Sequence, residues 1–293
     1  IFNFIESINR IPVSAELASE FRYRDPIFQE SDLGLFISQS GETADTLAAL
    51  NLCVERKVKT YSLVNVEGST LSRLCDQNLF IKAGVEIGVA STKAFTQQVL
   101  TGRIMAESLK GTPSYGELRT KFSLLAHRLE VLLSQVDKIK KIAEEIYNYK
   151  GFFFTGRGQY FPIALEGALK LKEIAYVHAE GYAAGELKHG PIALIDEEMV
   201  NVAIIGPELL EKAVSNVEEI KARRGVIVIL GPKDRKDLEA LSDHYIPLNF
   251  DGLEELSPIY VNVANQLLSY YMAKFKGTDI DKPRNLAKSV TVE

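Results

Sequence analysis

Cysteine is scarce in this sequence: Cys53 and Cys75 stand far apart with no Cys-x-x-Cys spacing. That pattern argues against a disulfide framework and points to free thiols in a reducing, cytoplasmic compartment. Histidine is nearly as sparse, with four residues, so a zinc cluster has poor support. Long apolar runs are missing; those present are strand-sized, too short to cross a bilayer. There is no long basic run, and the formal net charge is −5, which argues against a nucleic-acid backbone as the main partner. The opening residues, Ile1-Phe2-Asn3-Phe4-Ile5, include neither an initiator Met nor the layout of a secretory signal. They look like the middle of a helix, so the chain is expected to be part of a longer protein.

What is present suits a globular α/β protein. The 293 residues, 46% hydrophobic and 25% charged, are enough for one large domain or two medium ones, with a core that needs no disulfide or metal staple. Strand-like runs at 33–38, 59–64 and 78–83 alternate with helical patterns at 43–57, near 69–75 and at 91–110. A turn cluster, "GTPSYG", precedes an amphipathic helical stretch over 117–149. The alternation then restarts: strands at 151–158, 201–206, 225–230 and 244–248, helices at 160–177, 208–223, 234–242 and 255–275. Such alternation predicts βαβ units and parallel sheets flanked by helices. Two βα halves of similar plan follow, a duplication of architecture rather than of sequence: 1–115, then a helical linker at 116–150, then 151–277. A polar, Pro-interrupted tail ends the chain at 278–293.

Ligands of open parallel sheets sit outside the carboxyl ends of the strands, and two loops fall there, "SQSGET" (38–43) and "TGRG" (155–158). The first has no lysine or arginine and no P-loop pattern. It offers hydroxyls from Ser38, Ser40 and Thr43, the amide of Gln39, a glycine that lets the backbone approach closely, and the free amides of a helix start. This set suits a phosphate bound reversibly; it equally suits an ordinary capped helix. A second hydroxyl cluster, "GVASTKAF" (88–95), has the same two readings.

The stretch "ALEGALKLKEIAYVHAEGYAAGELKHGP" (164–191) places Glu166, Lys170 and Glu173 at i, i+4 and i+7, on one helix face, with Ala164, Ala168, Leu171 and Ala175 opposite. A surface ladder of ion pairs would look the same. His189 follows before a rigid Gly-Pro turn. A carboxylate and an imidazole in one polar pocket would supply a general base and acid near neutral pH, the two tasks of ketose–aldose isomerisation: ring opening and C1–C2 proton transfer. His189 could also be a turn residue bonding backbone. In the tail "RNLAKSVTVE", Lys288 is an amine that could form a Schiff base with a sugar carbonyl.

Taken together, "SQSGETADT", "GVASTKAFTQQ", "EGALKLKEIAYVHAEGYAAGELKHGP" and "DKPRNLAKSVTVE" resemble the isomerase half of the glutamine–fructose-6-phosphate aminotransferases, in order from about residue 10 to residue 293. The resemblance implies two sugar-isomerase (SIS) subdomains and the conversion of fructose 6-phosphate and ammonia to glucosamine 6-phosphate. Ammonia would come from glutamine, through an N-terminal glutaminase domain not found in this sequence; neither Cys53 nor Cys75 matches its nucleophile. The resemblance further implies a phosphate cradle of Ser38, Gln39, Ser40 and Thr43 and sugar contacts at Val89 and Ser91. It makes Glu173 the proton-shuttling base beside Lys170, His189 the ring-opening histidine reaching across a homodimer, and Lys288 the imine lysine. The family also has a first strand and a Cys-Gly-Thr-Ser loop upstream of residue 1, so the first sheet is expected to be one strand short. Two other readings stay open: another sugar-phosphate isomerase or deglycase of the SIS kind, or a non-catalytic sugar-phosphate sensor.

Overall fold

The computed structural model describes residues 1–289; the end of the expected tail, 290–293, lies outside that description. The chain divides into two compact units, one formed by Ile1–Tyr115 with the tail from Asn285 onward, the other by Gly116–Arg284.

The first unit opens with two short helices, α1 (Phe2–Phe4) and α2 (Ala18–Phe21), followed by β1 (Leu33–Ser38), α3 (Ala44–Glu55), β2 (Lys59–Val64), α4 (Thr70–Leu74), β3 (Gln77–Phe80) and α5 (Lys93–Ser108). Its sheet is parallel, in the order β1-β2-β3, with Leu35 opposite Tyr61 and Leu63 opposite Leu79. Alternate side chains go to opposite faces of a strand. On one face Phe36 and Val64 meet Leu50 and Cys53 of α3 and Leu71 of α4. On the other, Leu63 meets Ile81 and Ala94. Both cysteines are free and buried, and burial pushes the Cys75 thiol up to about 11. Near the end of α5, Glu107 accepts from Arg103 (3.0 Å), pairs with Lys110 (2.8 Å) and takes the Ser114 amide (2.7 Å). These donors, Lys110 foremost, hold its carboxyl down to about 2.

The second unit contains α6 (Tyr115–Ser134), α7 (Asp137–Ile146), β4 (Gly151–Gly156), α8 (Phe161–Ala175), β5 (His178–Ala183), β6 (Met199–Ile204), α9 (Leu210–Lys221), β7 (Val226–Pro232), α10 (Lys236–Leu241), β8 (His244–Leu248) and α11 (Ser257–Lys276). Its sheet, β5-β4-β6-β7-β8, is parallel throughout. β4 is buried along its whole length. Phe153 of β4 joins Ile227, Ile229 and Val217 in the core, while α8 packs against both β5 and α11.

The sequence expectation needs two corrections. The helical stretch over 117–149 is two helices, broken at residues 135–136. Leu118, Leu125, Leu132 and Ile139 are all buried at an unbroken spacing of seven, so periodicity runs straight through the break. Strand β5 was not anticipated. Its sequence, His-Ala-Glu-Gly-Tyr-Ala, holds an edge position where only Ala179 is buried, so it needs no apolar run. The tail forms no helix or strand from Thr278 to Ser289, as its composition suggested.

Glu107→Gln should destabilise the first unit by about 3 kcal/mol, because it removes the buried carboxylate charge that faces the buried Arg103 guanidinium and the part-exposed Lys110 ammonium. Urea unfolding monitored by circular dichroism measures this; a loss under about 1 kcal/mol would show that the cluster behaves as a surface pair.

Candidate functional site

The loop after β1 is built around its own hydroxyls. Ser38, at the end of the strand, accepts the Gly41 amide through Oγ (2.9 Å), and Ser40 Oγ accepts the Glu42 amide (3.2 Å). Thr43 Oγ1 lies 3.4 Å from Ser38 Oγ, and Gln39 is half-buried. Gly41 has φ +72°, and a Cβ there would stand 2.2 Å from Ser69 Oγ, so glycine is required on both counts. The loop is fastened at Gln39 and Gly41, whose carbonyls accept the Asn65 (3.2 Å) and Leu71 (3.0 Å) amides. Its single carboxylate is turned away: Glu42 accepts the Thr70 amide at the start of α4 (2.8 Å), which holds its carboxyl below the usual range. Helix α3 begins after Thr43 without a side-chain cap. The plain capping reading therefore fails for α3. Among the described residues its first-turn amides have no side-chain acceptor, and they carry the positive end of the helix dipole.

The tail is tied to this same unit. Ser289 Oγ lies 3.2 Å from Ser40 Oγ. Lys288 Nζ donates to Glu86 Oε2 (2.5 Å) and to the Gly88 carbonyl (2.8 Å). Glu86 belongs to the loop between β3 and α5, which also carries the half-buried Val89 and Ser91. The other oxygen of Glu86 accepts the Thr92 and Ala94 amides (2.9 and 3.1 Å), so the start of α5 is capped by Glu86 and not by the hydroxyls of its own cluster. Burial alone would raise the Glu86 carboxyl; the Lys288 bond and the two amides outweigh it and hold it below its ordinary value. Sequence reasoning missed Glu86. Its signal, an acidic residue six positions before a helix start, is too weak to find alone.

In the second unit, Lys170 Nζ sits 2.6 Å from Glu173 Oε2 and 3.3 Å from Glu166 Oε1, with its side chain only 4% exposed. The stripe is thus no surface ladder: Glu166 and Lys170 are buried together with Ala164, Ala168 and Leu171. Burial pushes Glu166 up to about 7; Lys170 opposes the rise and the Glu173 charge adds to it. Two carboxylates sharing one ammonium can hold or pass a proton near neutral pH. His189 ends a 3-10 turn, Ala184–His189, and is exposed. Among the described residues it has neither the turn bond to backbone nor a bond to Glu173, so the structure does not join carboxylate and imidazole by direct contact.

The "TGRG" loop follows β4, beside the point where strand order reverses between β4 and β6. That crevice is filled. Tyr160 is buried over Gly206, where a Cβ would come within 2.2 Å of the ring carbon Cζ, and its hydroxyl lies 2.7 Å from Ser257 Oγ. Burial pushes the phenol up to about 12. No cluster of metal-ligating side chains occurs among the described residues, and no helix among them is long and apolar enough to cross a membrane.

Paired parallel sheets, with a hydroxyl-lined loop at a strand end, are the plan of sugar-phosphate isomerase modules. The SIS domain family model matches residues 1–108 and 145–274, and the chain belongs to the SIS-domain family. It is 47% identical over 298 residues to the glutamine–fructose-6-phosphate aminotransferase (isomerizing) of Caldanaerobacter subterraneus subsp. tengcongensis, covering 99% of this chain and 48% of that protein. To the protein of the same name from Photorhabdus laumondii it is 50% identical, covering 99% and 49%. The chain spans about half the length of these curated relatives. Its structure is similar to the C-terminal domain of glucosamine-fructose-6-phosphate aminotransferase from Francisella tularensis, with a TM-score of 0.89 and 40% identity over 96% of this chain and 82% of that one. The motif resemblance to the isomerase half of these aminotransferases agrees with all three. A glucosamine-6-phosphate deaminase from Thermotoga maritima shares the fold, with a TM-score of 0.80 at 23% identity over 99% of this chain and 85% of that one.

Glu166 predicts a pH dependence of stability. Its folded value, about 7, exceeds its ordinary 4.5, so between these values the folded state binds more protons than the unfolded one. Its contribution to stability is complete below the ordinary value and is lost as pH rises through the folded one. Urea midpoints should fall from about pH 5 to 8, this group adding a slope approaching 1.4 kcal/mol per unit. Glu166→Gln should flatten that slope; an unchanged slope would mean that Glu166 is ionised throughout.

Proposed function

We propose that this chain is the isomerase half of an isomerizing glutamine–fructose-6-phosphate aminotransferase, turning fructose 6-phosphate and ammonia into glucosamine 6-phosphate. One observation carries the reading: the tail docks an amine, Lys288, in the same unit as the hydroxyl loop, with Ser289 bonded to Ser40. A lone sugar-phosphate receptor has no need of that amine.

In this reading Ser38, Gln39, Ser40 and Thr43, with the uncapped start of α3, hold the phosphate by hydrogen bonds and dipole rather than by cations, which leaves product free to depart. Val89 and Ser91 contact the sugar. His189 protonates the ring oxygen to open the hemiketal. The Lys288 ammonium gives up a proton to solvent, the resulting amine adds to C2 and water leaves, giving an imine; ammonia then displaces the lysine. Glu173 takes a proton from C1 and returns it to C2, with Lys170 balancing its charge. The exposed, unbonded His189 serves across a homodimer. The subdomains run 1–115 and 151–277, with the linker at 116–150 and the active-site tail at 278–293. The protein works in the cytoplasm, with a glutaminase domain upstream supplying ammonia and without metal or organic cofactor.

Borohydride reduction in the presence of fructose 6-phosphate should attach a reduced hexose phosphate to Lys288, read by peptide mass, and Lys288→Arg should abolish it. Glu173→Gln should retain the adduct while slowing aldose formation by about 10²–10⁴-fold, including the slow conversion to glucose 6-phosphate expected without ammonia. Sugar-phosphate binding with neither adduct nor turnover would identify a sensor. Turnover without an adduct would identify a plain isomerase or deglycase.

A further inference from the structure

We propose that Glu86 is a positioning residue for Lys288, holding the tail amine on the β3–α5 loop and linking it to the start of α5. The proposal rests on the reading of Lys288 as the imine-forming lysine and extends it to the group that presents that lysine.

The geometry divides the carboxylate between two duties. Oε1 takes the Thr92 and Ala94 amides, and Oε2 takes the Lys288 ammonium. The surrounding loop is arranged to bury this one side chain: Val85 and Ile87 are 83% and 78% exposed, whereas the Glu86 side chain is 5% exposed. Exposing two apolar residues and burying the carboxylate between them runs against the hydrophobic term, and burying a charge is costly unless it is paired. Capping alone does not require such an arrangement, since a short hydroxyl or carboxylate at the cap position suffices. Thr92 occupies that position and makes no side-chain cap. The loop is braced independently, by Asn65 Nδ2 on the Gly84 carbonyl (2.8 Å) and Lys93 Nζ on the Val85 carbonyl (2.5 Å). What remains for Glu86 is the second oxygen and its ammonium.

A consequence follows for the tail. A stretch without helix or strand, as 278–289 is, is ordinarily mobile unless tied down. The Ser289–Ser40 contact is one neutral hydrogen bond at 3.2 Å; the Glu86–Lys288 bond is charge-assisted, and bonds of that kind are roughly twice as strong. When Lys288 moves onto a ligand carbonyl, Glu86 is left with a buried, half-satisfied carboxylate, and the cost of that state draws the lysine back after product leaves.

Glu86→Gln tests this on the chain as it stands, because the amide oxygen can still accept the Thr92 and Ala94 amides while the carboxylate is gone. Brief acetic anhydride labelling, read by peptide mass, compares Lys288 with Lys93 at the start of α5, which bonds the same loop. The Lys288-to-Lys93 ratio should rise about fivefold in Glu86→Gln, equivalent to ~1 kcal/mol of lost ion pairing, and Glu86→Asp should restore part of the difference. A ratio unchanged within about twofold, or a parallel rise at both lysines as in general loosening of the loop, overturns the proposal. Borohydride trapping with fructose 6-phosphate on the same proteins is read separately. If the unsubstituted chain forms no adduct, the imine reading fails, while the labelling ratio still decides whether Glu86 holds Lys288.

Discussion

A parallel sheet ends all its strands in the same direction, and at that edge the chain must turn into helices whose first amides have no partner of their own. Whatever satisfies those groups decides what the edge can do. In the first unit the loop after β1 spends its hydroxyls on itself. Ser38 and Ser40 accept loop amides, Glu42 leaves to serve α4, and α3 starts uncapped. In the second unit the crevice between β4 and β6 is occupied by Tyr160, over a glycine that admits its ring. One strand edge thus keeps a helix start with no side-chain cap at Thr43, and the other is absorbed into the core. The difference rests on a handful of side chains as well as on strand order, β1-β2-β3 against β5-β4-β6-β7-β8, and fold class alone does not specify chemistry.

Carboxylates show the same economy of means. Glu107, Glu86 and Glu166 all have buried side chains, yet their protons go different ways. Glu107 has two cations and an amide and is held to about 2. Glu86 has one ammonium and two amides, and is lowered against the pull of burial. Glu166 has only a share in Lys170, whose shorter contact is to Glu173, and burial wins, to about 7. Donor supply, not burial, separates them. A carboxylate poised near neutrality arises here because one lysine is divided between two acids.

Much of this was legible in the sequence. Strands such as Leu33–Ser38 and His244–Leu248, and helices such as Ala44–Glu55, follow from apolar spacing and flanking turn residues, and the hydroxyl loop stands at its strand end as the alternation required. The break at 135–136 was hidden because buried residues keep one period on both sides of it. β5 was hidden because an edge strand needs few apolar side chains. The burial of Glu166 and Lys170 was hidden for a different reason. Helical spacing shows which residues share a face, but which faces are covered depends on elements far along the chain, here β5 and α11 on α8.

Glu86 marks the limit of such reading. A helix cap is normally sought at the cap residue itself, and Thr92 satisfies that search while making no side-chain bond. The group that does the capping lies six residues back and is held there by a lysine 202 positions away in sequence. Neither half of the arrangement is stable on physical grounds without the other. A buried carboxylate needs a cation, and a lysine outside any helix or strand needs an anchor to overcome the entropy of ordering its backbone and side chain. Local pattern cannot reveal a pair whose members justify one another only after the chain has folded, and in this protein that pair fixes the Lys288 amine on the β3–α5 loop.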